Sequence, residues 1–334
     1  FAGMMEVLRR YITSRGNWMR SSILRDTSSI PQKPTITFTG NQNYQVDDLK
    51  FSSSNYRSQS NSNFTAMEWR LGEVYNPTIE GYMAKDPYIY EIQNPSLSGQ
   101  IESFNSNYQF SPTDARVGRT YRARVRHQDE EGRWSHWSDP IQFKVANPDT
   151  NDYVNSLRIT EINYHPKGAS QSEKDKGWTT SDFEYIEIQN ISDKDLDLAN
   201  LRLTKGVDFD FEAGTILKSN QYILIVRNRI AFESRFGTGL LIAGEWDKGN
   251  KLDNAGENIK LSYGAGTPII EFSYDDKEPW PLGADGDGFT LNLKDPKTIS
   301  QENHGVVSNW YPAVTSPGSE GKNAAVTFES WASS

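Results

Sequence analysis

Apolar and polar residues alternate with a period of two along most of the chain, which predicts β-strands. The stretch FTAMEWRLGEV shows the pattern well, with Met67, Trp69 and Leu71 on one face and Glu68 and Arg70 on the other. Gly, Pro, Asn and Ser separate such stretches and predict turns between short strands. Similar stretches lie at residues 34–40, 88–92, 120–127, 140–145, 157–166, 183–192, 195–204, 221–228, 258–274 and 288–293.

Residues 1–29 break this period and predict one amphipathic helix. Met4, Leu8, Tyr11, Met19 and Ile23 recur at spacings of three, four or their multiples. The segment carries five Arg against one Glu through residue 25, which makes it basic. Such a helix could lie on a membrane surface, but a lone helix of this length is marginally stable, so docking on protein is favoured.

The fold class predicted from these patterns is all-β, with two tandem immunoglobulin-like β-sandwiches and the N-terminal helix. The first sandwich is assigned to residues 30–147 and the second to residues 148–321. The polar stretch between them is short, and one further short helix is predicted at residues 229–237. Residues 322–334 are assigned to a linker or to the start of a following segment.

The stretch YRARVRHQDEEGRWSHWSDP predicts an arginine–tryptophan ladder. Arg122, Arg124 and Arg126 project from one face of a strand, about 7 Å apart from one to the next. If the chain folds back after the DEEG turn, Trp134 and Trp137 can stack between the guanidinium groups. The expected role of these five residues is structural, because the ladder shields a sheet face and holds the last strand.

The stretch RWSHWSDP resembles the WSxWS element of cytokine-receptor fibronectin type III domains, although the Cys pairs of those receptors are missing. Related ladders occur in bacterial fibronectin-like modules. The resemblance implies a fibronectin type III-like domain, not a cytokine receptor.

The second half resembles the lamin tail domain, an immunoglobulin-like sandwich. The resemblance rests, in the family's order, on ITEINYHP, DFEYIEIQNISDKDLDLANLRLT, FEAGTILKSNQYILIV, AFESRFG, LDNAGENIKLSY, IIEFSYDDKEPWP and GADGDGFTLNL. With the upstream module, the chain looks like the C-terminal half of secreted bacterial proteins with a CotH-type kinase domain. LRRYITSRGNWMRSSIL resembles the last helix of that domain. No kinase motif is present, so no catalytic residue is carried over.

Five carboxylates are candidates for calcium, namely Glu161, Glu187, Asp275, Asp285 and Asp287. Asp285 and Asp287 lie in a DGDG stretch that resembles half an EF-hand loop, and the competing interpretation is a tight turn. Glu161 and Glu187 fall on the same side of their strands as apolar residues, where an unpaired carboxylate is costly.

Two arginines offer an alternative to the ion. Either an Arg or a Lys pairs with the buried glutamates, with Arg202 and Arg227 available, or a cation bridges them. A calcium ion is therefore a candidate cofactor, and no other cofactor is predicted.

Composition narrows the function further. The net charge of −9 argues against a nucleic-acid partner, and the chain has no Cys and no apolar run long enough to span a membrane. No HExxH, GxSxG or Walker-type motif occurs, so this segment is not expected to be an enzyme.

The predicted function is therefore a non-catalytic accessory or adhesion region of a secreted bacterial protein at the cell surface. Its expected partners are other domains of the same protein, cell-surface proteins or polysaccharide. Two alternatives stay open. One is the tail of a CotH-type kinase, and the other is a self-assembling subunit of a surface layer or filament.

Overall fold

The computed structural model describes residues 2–22, 29–41, 43–247, 249–319 and 322–323. The chain divides into two compact units, Phe1–Asn147 and Pro148–Ser334. The amphipathic pattern at the N-terminus forms helix α1, which spans Ala2–Ser22. Ile23, the last apolar residue of the predicted stripe, lies outside the described residues, as does most of the predicted linker at 322–334.

Two sheets form the first unit. Their strands are β1 (Ile36–Phe38), β2 (Lys50–Ser53), β3 (Phe64–Glu73), β4 (Ser96–Leu97), β5 (Asn107–Gln109), β6 (Thr120–Asp129) and β7 (Ile141–Lys144). A three-stranded sheet has the order β1-β2-β5 and a four-stranded sheet has the order β4-β3-β6-β7. A 3-10 helix lies at Val46–Asp48.

The apolar faces of these two sheets meet in an aromatic core. Trp69 of β3 is fully buried and stacks on Tyr108 of β5, with ring centroids 5.5 Å apart. Phe51 of β2 lies 5.7 Å from Phe143 of β7 by the same measure. Tyr121 at the start of β6 accepts a hydrogen bond from the backbone N–H of Arg116 on its hydroxyl oxygen, as in the tyrosine corner of immunoglobulin-like folds.

The strand predicted at residues 88–92 is wrong. Only Ile89 forms a β-bridge there, to Tyr75, while the side chains of Tyr88, Tyr90 and Ile92 are exposed. The alternation is present, but its apolar side faces solvent. The segment belongs to a long connection between β3 and β4.

Within its described residues, the second unit contains three α-helices and thirteen strands. The helices are α2 (Asn151–Ser156), α3 (Gln171–Lys174) and α4 (Arg229–Phe236). The strands are β8 (Leu157–Asn163), β9 (Tyr185–Asn190), β10 (Leu196–Asp197), β11 (Leu201–Lys205), β12 (Phe209–Asp210), β13 (Ile216–Leu217), β14 (Tyr222–Val226), β15 (Ile242–Glu245), β16 (Glu257–Tyr263), β17 (Thr267–Tyr274), β18 (Phe289–Leu293), β19 (Trp310–Val314) and β20 (Lys322–Asn323).

These strands form a seven-stranded sheet, β15-β14-β9-β8-β18-β19-β20, a four-stranded sheet, β12-β11-β16-β17, and the small pair β10-β13. Phe272 of the four-stranded sheet stacks on Trp310 of the seven-stranded sheet at 5.3 Å between centroids. The predicted fold class is thereby confirmed. Four 3-10 helices lie between the strands, at Thr180–Phe183, Leu282–Ala284, Gln301–Asn303 and Val307–Asn309.

The other face of the seven-stranded sheet is covered in part by α4. Phe232 packs in a cluster with Tyr185, Leu224 and Val226, all buried. Asn228 caps this helix by accepting the backbone N–H of Ala231 on its side-chain oxygen. Helix α4 packs on β9 and β14 and covers only this part of the face.

A β-bulge corrects the alternation predicted for residues 157–162. The pairing of β8 with β9 shifts between Ile159 and Glu161, so the register moves by one residue at Thr160. All seven residues of β8 are buried, since this strand lies inside the sheet. Strict alternation would place Ile159 and Ile162 on opposite faces of the strand. The bulge instead puts them on the same face, where they pair with Ile188 and Ile186.

Candidate functional site

The predicted ladder exists in part on the outer face of the four-stranded sheet. The Arg126 guanidinium lies 4.1 Å from the ring centroid of Trp134 and 4.5 Å from that of Trp137. The next arginine in the stack is Arg70 of β3, 4.4 Å from Trp137. The stack therefore runs Trp134, Arg126, Trp137, Arg70.

Two arginines assigned to the ladder have other partners. Arg124 pairs with Glu91 at 2.5 Å and donates to the carbonyl oxygen of Ser138 at 2.7 Å. Arg122 donates to the side chain of Gln142 at 3.0 Å. Register gives the reason, because Arg124 and Arg70 are paired across β6 and β3 and Arg70 takes the position over Trp137.

Glu91 was not found by sequence analysis. It receives hydrogen bonds from both Arg70 and Arg124. Burial opposes ionisation, but those two hydrogen bonds bring the pKa of Glu91 below its ordinary value. The ion pairs of Glu91 join residues that are distant in sequence, so no local sequence pattern predicts them.

The serines of the WSxWS element bond to the backbone of β6. Ser135 donates its N–H to the carbonyl of His127 at 2.8 Å, and its hydroxyl oxygen accepts the N–H of His127 at 3.0 Å. Ser138 makes the same pair of bonds to Val125, at 2.9 and 3.1 Å. The serines thus satisfy strand groups that an edge would leave open. The element is structural.

Removing Trp137 should weaken the first unit. Trp137→Ala deletes contacts with two guanidinium groups, each worth about 0.5–2 kcal/mol, so we expect a loss of about 1–4 kcal/mol in the free energy of unfolding. His136 lies between the tryptophans and is exposed, so His136→Ala is the matched control and should change stability by less than about 0.5 kcal/mol. Urea unfolding, monitored by hydrogen exchange of the backbone amides in β6, measures the free energy of unfolding of both variants. Equal effects would contradict the stacking role.

A row of tyrosines forms the second feature of the first unit. The ring centroids of Tyr82 and Tyr88 are 5.7 Å apart, and those of Tyr88 and Tyr90 are 6.1 Å apart. The side chains of Tyr88 and Tyr90 are 51% and 59% exposed. Asp86 holds the loop, since its carboxylate accepts from the hydroxyl of Tyr75 at 3.0 Å. We call Tyr82, Tyr88 and Tyr90 the tyrosine row.

In the second unit, a mainly polar row crosses the seven-stranded sheet on the face that α4 covers in part. Five residues are paired in register from β14 through β9, β8 and β18 to β19. They are Leu224, Glu187, Glu161, Asn292 and Tyr311. Three of these residues have polar side chains that are almost fully buried, which is costly unless each has partners.

Hydroxyl and backbone N–H groups donate hydrogen bonds to most of the carboxyl oxygens of Glu161 and Glu187. Glu161 accepts from the Tyr185 hydroxyl at 2.6 Å and from the Thr290 hydroxyl. Glu187 accepts from the Thr160 hydroxyl and from the Gly318 N–H, both at 2.6 Å. The bulge allows Thr160 to reach Glu187.

Burial sets the charge state of this pair. It raises the pKa of Glu161, and burial together with the neighbouring Glu161 raises the pKa of Glu187 to about 8. Within the described part of the chain, neither glutamate has an ion pair with Lys, Arg or His. The Oε2 atom of Glu161 has no hydrogen-bond partner there. Glu187 therefore holds its proton near neutral pH.

The arginines expected to pair with these glutamates lie elsewhere. Arg202 forms an ion pair with Asp210. Arg227 lies 3.8 Å from Glu184, whose pKa burial raises to about 7 despite that arginine. The alternative of a pairing arginine is thus wrong for Glu161 and Glu187.

The other three candidate calcium ligands lie in turns. Asp285 pairs with the Nδ1 atom of His165 at 2.5 Å, and Asp287 follows in the same glycine-rich turn. Asp275 accepts the N–H of Lys277 after β17. Among residues 2–22, 29–41, 43–247, 249–319 and 322–323, no three His, Cys, Asp or Glu side chains are arranged to hold a metal ion. The five carboxylates do not form one ligand set.

Comparisons with known proteins bear on the second unit. Residues 151–305 match the family model of the Lamin Tail Domain, which supports the predicted lamin tail domain in this part of the chain. No curated protein sequence matches the chain. Among solved structures, one match is the alpha-L-rhamnosidase from Dictyoglumus thermophilum, at 12% identity and a TM-score of 0.24.

That match covers 88% of this chain and 35% of the rhamnosidase chain, so this chain spans about a third of that protein. A TM-score this low has no bearing on the fold or activity here. The lamin tail domain is an immunoglobulin-like, non-catalytic family, consistent with an interaction module. No helix in the described ranges has the length and apolar character needed to cross a membrane.

Proposed function

We propose that this chain is a non-catalytic interaction region of a larger secreted bacterial protein and that its tyrosine row binds a protein on the cell surface. The observation that carries the proposal is the exposure of a stacked aromatic surface in the first unit. Tyrosine and methionine are enriched in protein interfaces, and tyrosine buries a large area with little loss of side-chain freedom.

The surroundings of the tyrosine row support a protein partner. Met83, Ile92 and Leu97 are 57%, 73% and 53% exposed and belong to the same connection or to β4. Exposed apolar side chains gathered in one segment are characteristic of interaction surfaces in soluble proteins. The rings of Tyr88 and Tyr90 are nearly parallel, so the pair presents the ring edges and one outer ring face to a partner.

The wider setting is also proposed. The two sheets, the tyrosine corner at Tyr121 and the WSxWS element support a fibronectin type III-like first unit. A fibronectin-like module followed by a lamin tail domain supports an extracellular parent protein of the CotH type.

The exposed apolar face of α1 supports docking on a further domain of that parent. The exposed residues are Met4, Met5, Val7, Leu8, Tyr11, Ile12, Trp18 and Met19. The complete reading frame tests this part, and a frame without any neighbouring kinase-like domain would contradict it.

Binding to the cell envelope tests the function directly. We expect the labelled full chain to bind saturably to the envelope fraction of the producing cells. The double variant Tyr88→Ser and Tyr90→Ser should weaken that binding at least about tenfold, since interface energy concentrates in a few aromatic anchors. Fluorescence titration gives both dissociation constants.

The matched control is Leu282→Ser, which removes a 52% exposed apolar side chain from the second unit. It should bind like the wild type. Protease treatment of the envelope should abolish binding, and periodate oxidation of its sugars should leave binding intact. Unchanged affinity of the double variant, or loss of binding on periodate treatment alone, would contradict the proposal.

A further inference from the structure

A cavity of about 280 Å³ opens beside the buried glutamate pair in the lamin tail domain. Thr160, Glu187 and Asn292 line its floor, and all three are buried. Tyr222 and Tyr311, both half-buried, contribute aromatic walls. The polar row thus borders a partly open space and does not end against apolar packing.

The rim of the cavity is also acidic. Asp295 and Ser319 line it and are exposed, so a ligand entering from solvent meets a carboxylate first. Leu293 and Pro296 complete the lining with apolar surface. No basic side chain is among the lining residues in the described part of the chain. The cavity therefore offers oxygen acceptors, aromatic rings and no fixed positive charge.

The buried pair lacks a countercharge, which is the second observation. Glu161 and Glu187 have no cationic partner in the ranges that the structure describes, and the Oε2 atom of Glu161 has no hydrogen-bond partner there. A proton can neutralise such a pair, and so can a bound cation. A cation that enters the cavity gains an ion pair in surroundings shielded from water, where it is stronger than at the surface.

The shape and lining select among cations. A calcium ion needs six or more oxygen ligands. Within the described ranges, no group of three acidic or His side chains is arranged to bind a metal ion. An alkylammonium group has three N–H donors and a carbon stem. Its donors fit Glu187, Thr160 and Asn292, and its stem fits the tyrosine walls, where cation–π attraction adds to binding.

We propose that this cavity binds a primary alkylammonium group, with Glu187 as its anionic partner, Tyr222 and Tyr311 as its walls and Asp295 at its entrance. The site is separate from the tyrosine row and does not rest on the function proposed above. The ligand is either a free aliphatic amine or the lysine side chain of a peptide, since both present the same group.

Binding is expected to strengthen as the pH rises from about 6 to about 8. Glu187 must release its proton to pair with the ammonium group, while an alkylamine stays charged to about pH 10. The other titratable groups at this place are Glu161 from β8, Tyr185 from β9, Tyr222 from β14, Tyr311 from β19 and Asp295 after β18. Burial raises the pKa of Glu161 as well, and the charge of Glu161 contributes to the raised pKa of Glu187.

An NMR titration of the deuterated full chain with n-butylammonium chloride tests the site. The reporting signal is the Gly318 N–H, which donates to Glu187. We expect a saturable shift at pH 7.5, and Glu187→Gln should weaken the affinity at least about tenfold by removing a charge-assisted hydrogen bond. Neutral n-butanol, which has the same length, should give no saturable shift.

A second variant covers the case in which Glu187→Gln disturbs the fold. Asp295→Asn changes an exposed carboxylate at the rim and should weaken binding about threefold, as one partly screened charge would. Asp193→Asn, another exposed carboxylate, is its matched control and should bind like the wild type.

A final comparison identifies the source of the ligand. N-acetyl-lysine methylamide binding as well as butylammonium supports a lysine side chain, and binding of butylammonium alone supports a free amine. Three results would overturn the proposal. They are an equal response to n-butanol, an affinity unchanged in both Glu187→Gln and Asp295→Asn, and saturation by calcium with no response to the amine.

Discussion

Replacing Trp69 by alanine is expected to destabilise the first unit by about 3–5 kcal/mol, the usual cost of truncating a fully buried tryptophan. Trp69 lies at the centre of the sandwich, where it stacks on Tyr108 of the opposite sheet. A domain is stable by only about 5–15 kcal/mol in total, so most of the reserve would be lost.

Urea unfolding followed by hydrogen exchange of β3 and β6 measures this loss. The matched control is Leu97→Ala, which truncates a 53% exposed side chain on β4 and should cost less than about 0.5 kcal/mol. The strands of the second unit give an internal reference in the same sample. A loss of less than about 1 kcal/mol for Trp69→Ala would show that the core is not built around this ring.

The second large effect concerns pH and the lamin tail domain. The pKa of Glu187 is about 8 in the folded state, mainly through burial, and about 4.3 in an unfolded chain. A carboxyl with a raised folded pKa contributes stability that is fully present below the unfolded pKa and is lost as pH rises through the folded pKa. Glu187→Gln removes this titration.

The stability of Glu187→Gln relative to the wild type should therefore increase by roughly 3–5 kcal/mol from about pH 4.5 to about pH 8. His304, whose pKa burial lowers to about 4, titrates in both proteins and cancels in the difference. Urea unfolding at several pH values, followed by hydrogen exchange in β9, gives the comparison. A difference that stays constant with pH would mean that Glu187 titrates alike in the folded and unfolded states.

The sequence predicted features that depend on local pattern. The faces of β3 follow from alternation, since Met67, Trp69 and Leu71 are buried as expected. The stacking of Trp134 and Trp137 on Arg126 follows from spacing within one stretch of chain. The match of residues 151–305 to the Lamin Tail Domain agrees with a resemblance that rested on a long ordered series of motifs.

Features that depend on pairing between distant segments could not be predicted. Arg70 replaces Arg124 in the ladder because the register of β3 on β6 places it there. The bulge at Thr160 changes the alternation of β8 without a glycine or proline to indicate it. Such features require knowledge of which strands are neighbours.

The candidate site shows the same division. Sequence alone indicated that Glu161 and Glu187 each share a face with apolar residues of their strands. The bulge at Thr160 instead puts Glu161 on the face opposite to Ile159, where it lies directly across from Glu187. The cavity beside them could not be inferred, because its lining comes from β8, β9, β14, β18 and β19 and from loops after them. The tyrosine row was missed because the same alternation that fits a half-buried strand also fits an exposed loop.

Site-specific photo-cross-linking tests most directly the central claim, that this chain binds a protein through the tyrosine row. A benzoylphenylalanine residue at Ile92, 73% exposed beside the row, is compared with one at Leu282 in the second unit. We predict a discrete protein adduct from position 92 only, displaced by unlabelled wild type and not by the Tyr88→Ser and Tyr90→Ser double variant. Equal adducts from both positions, or displacement by the double variant as well, would contradict the claim.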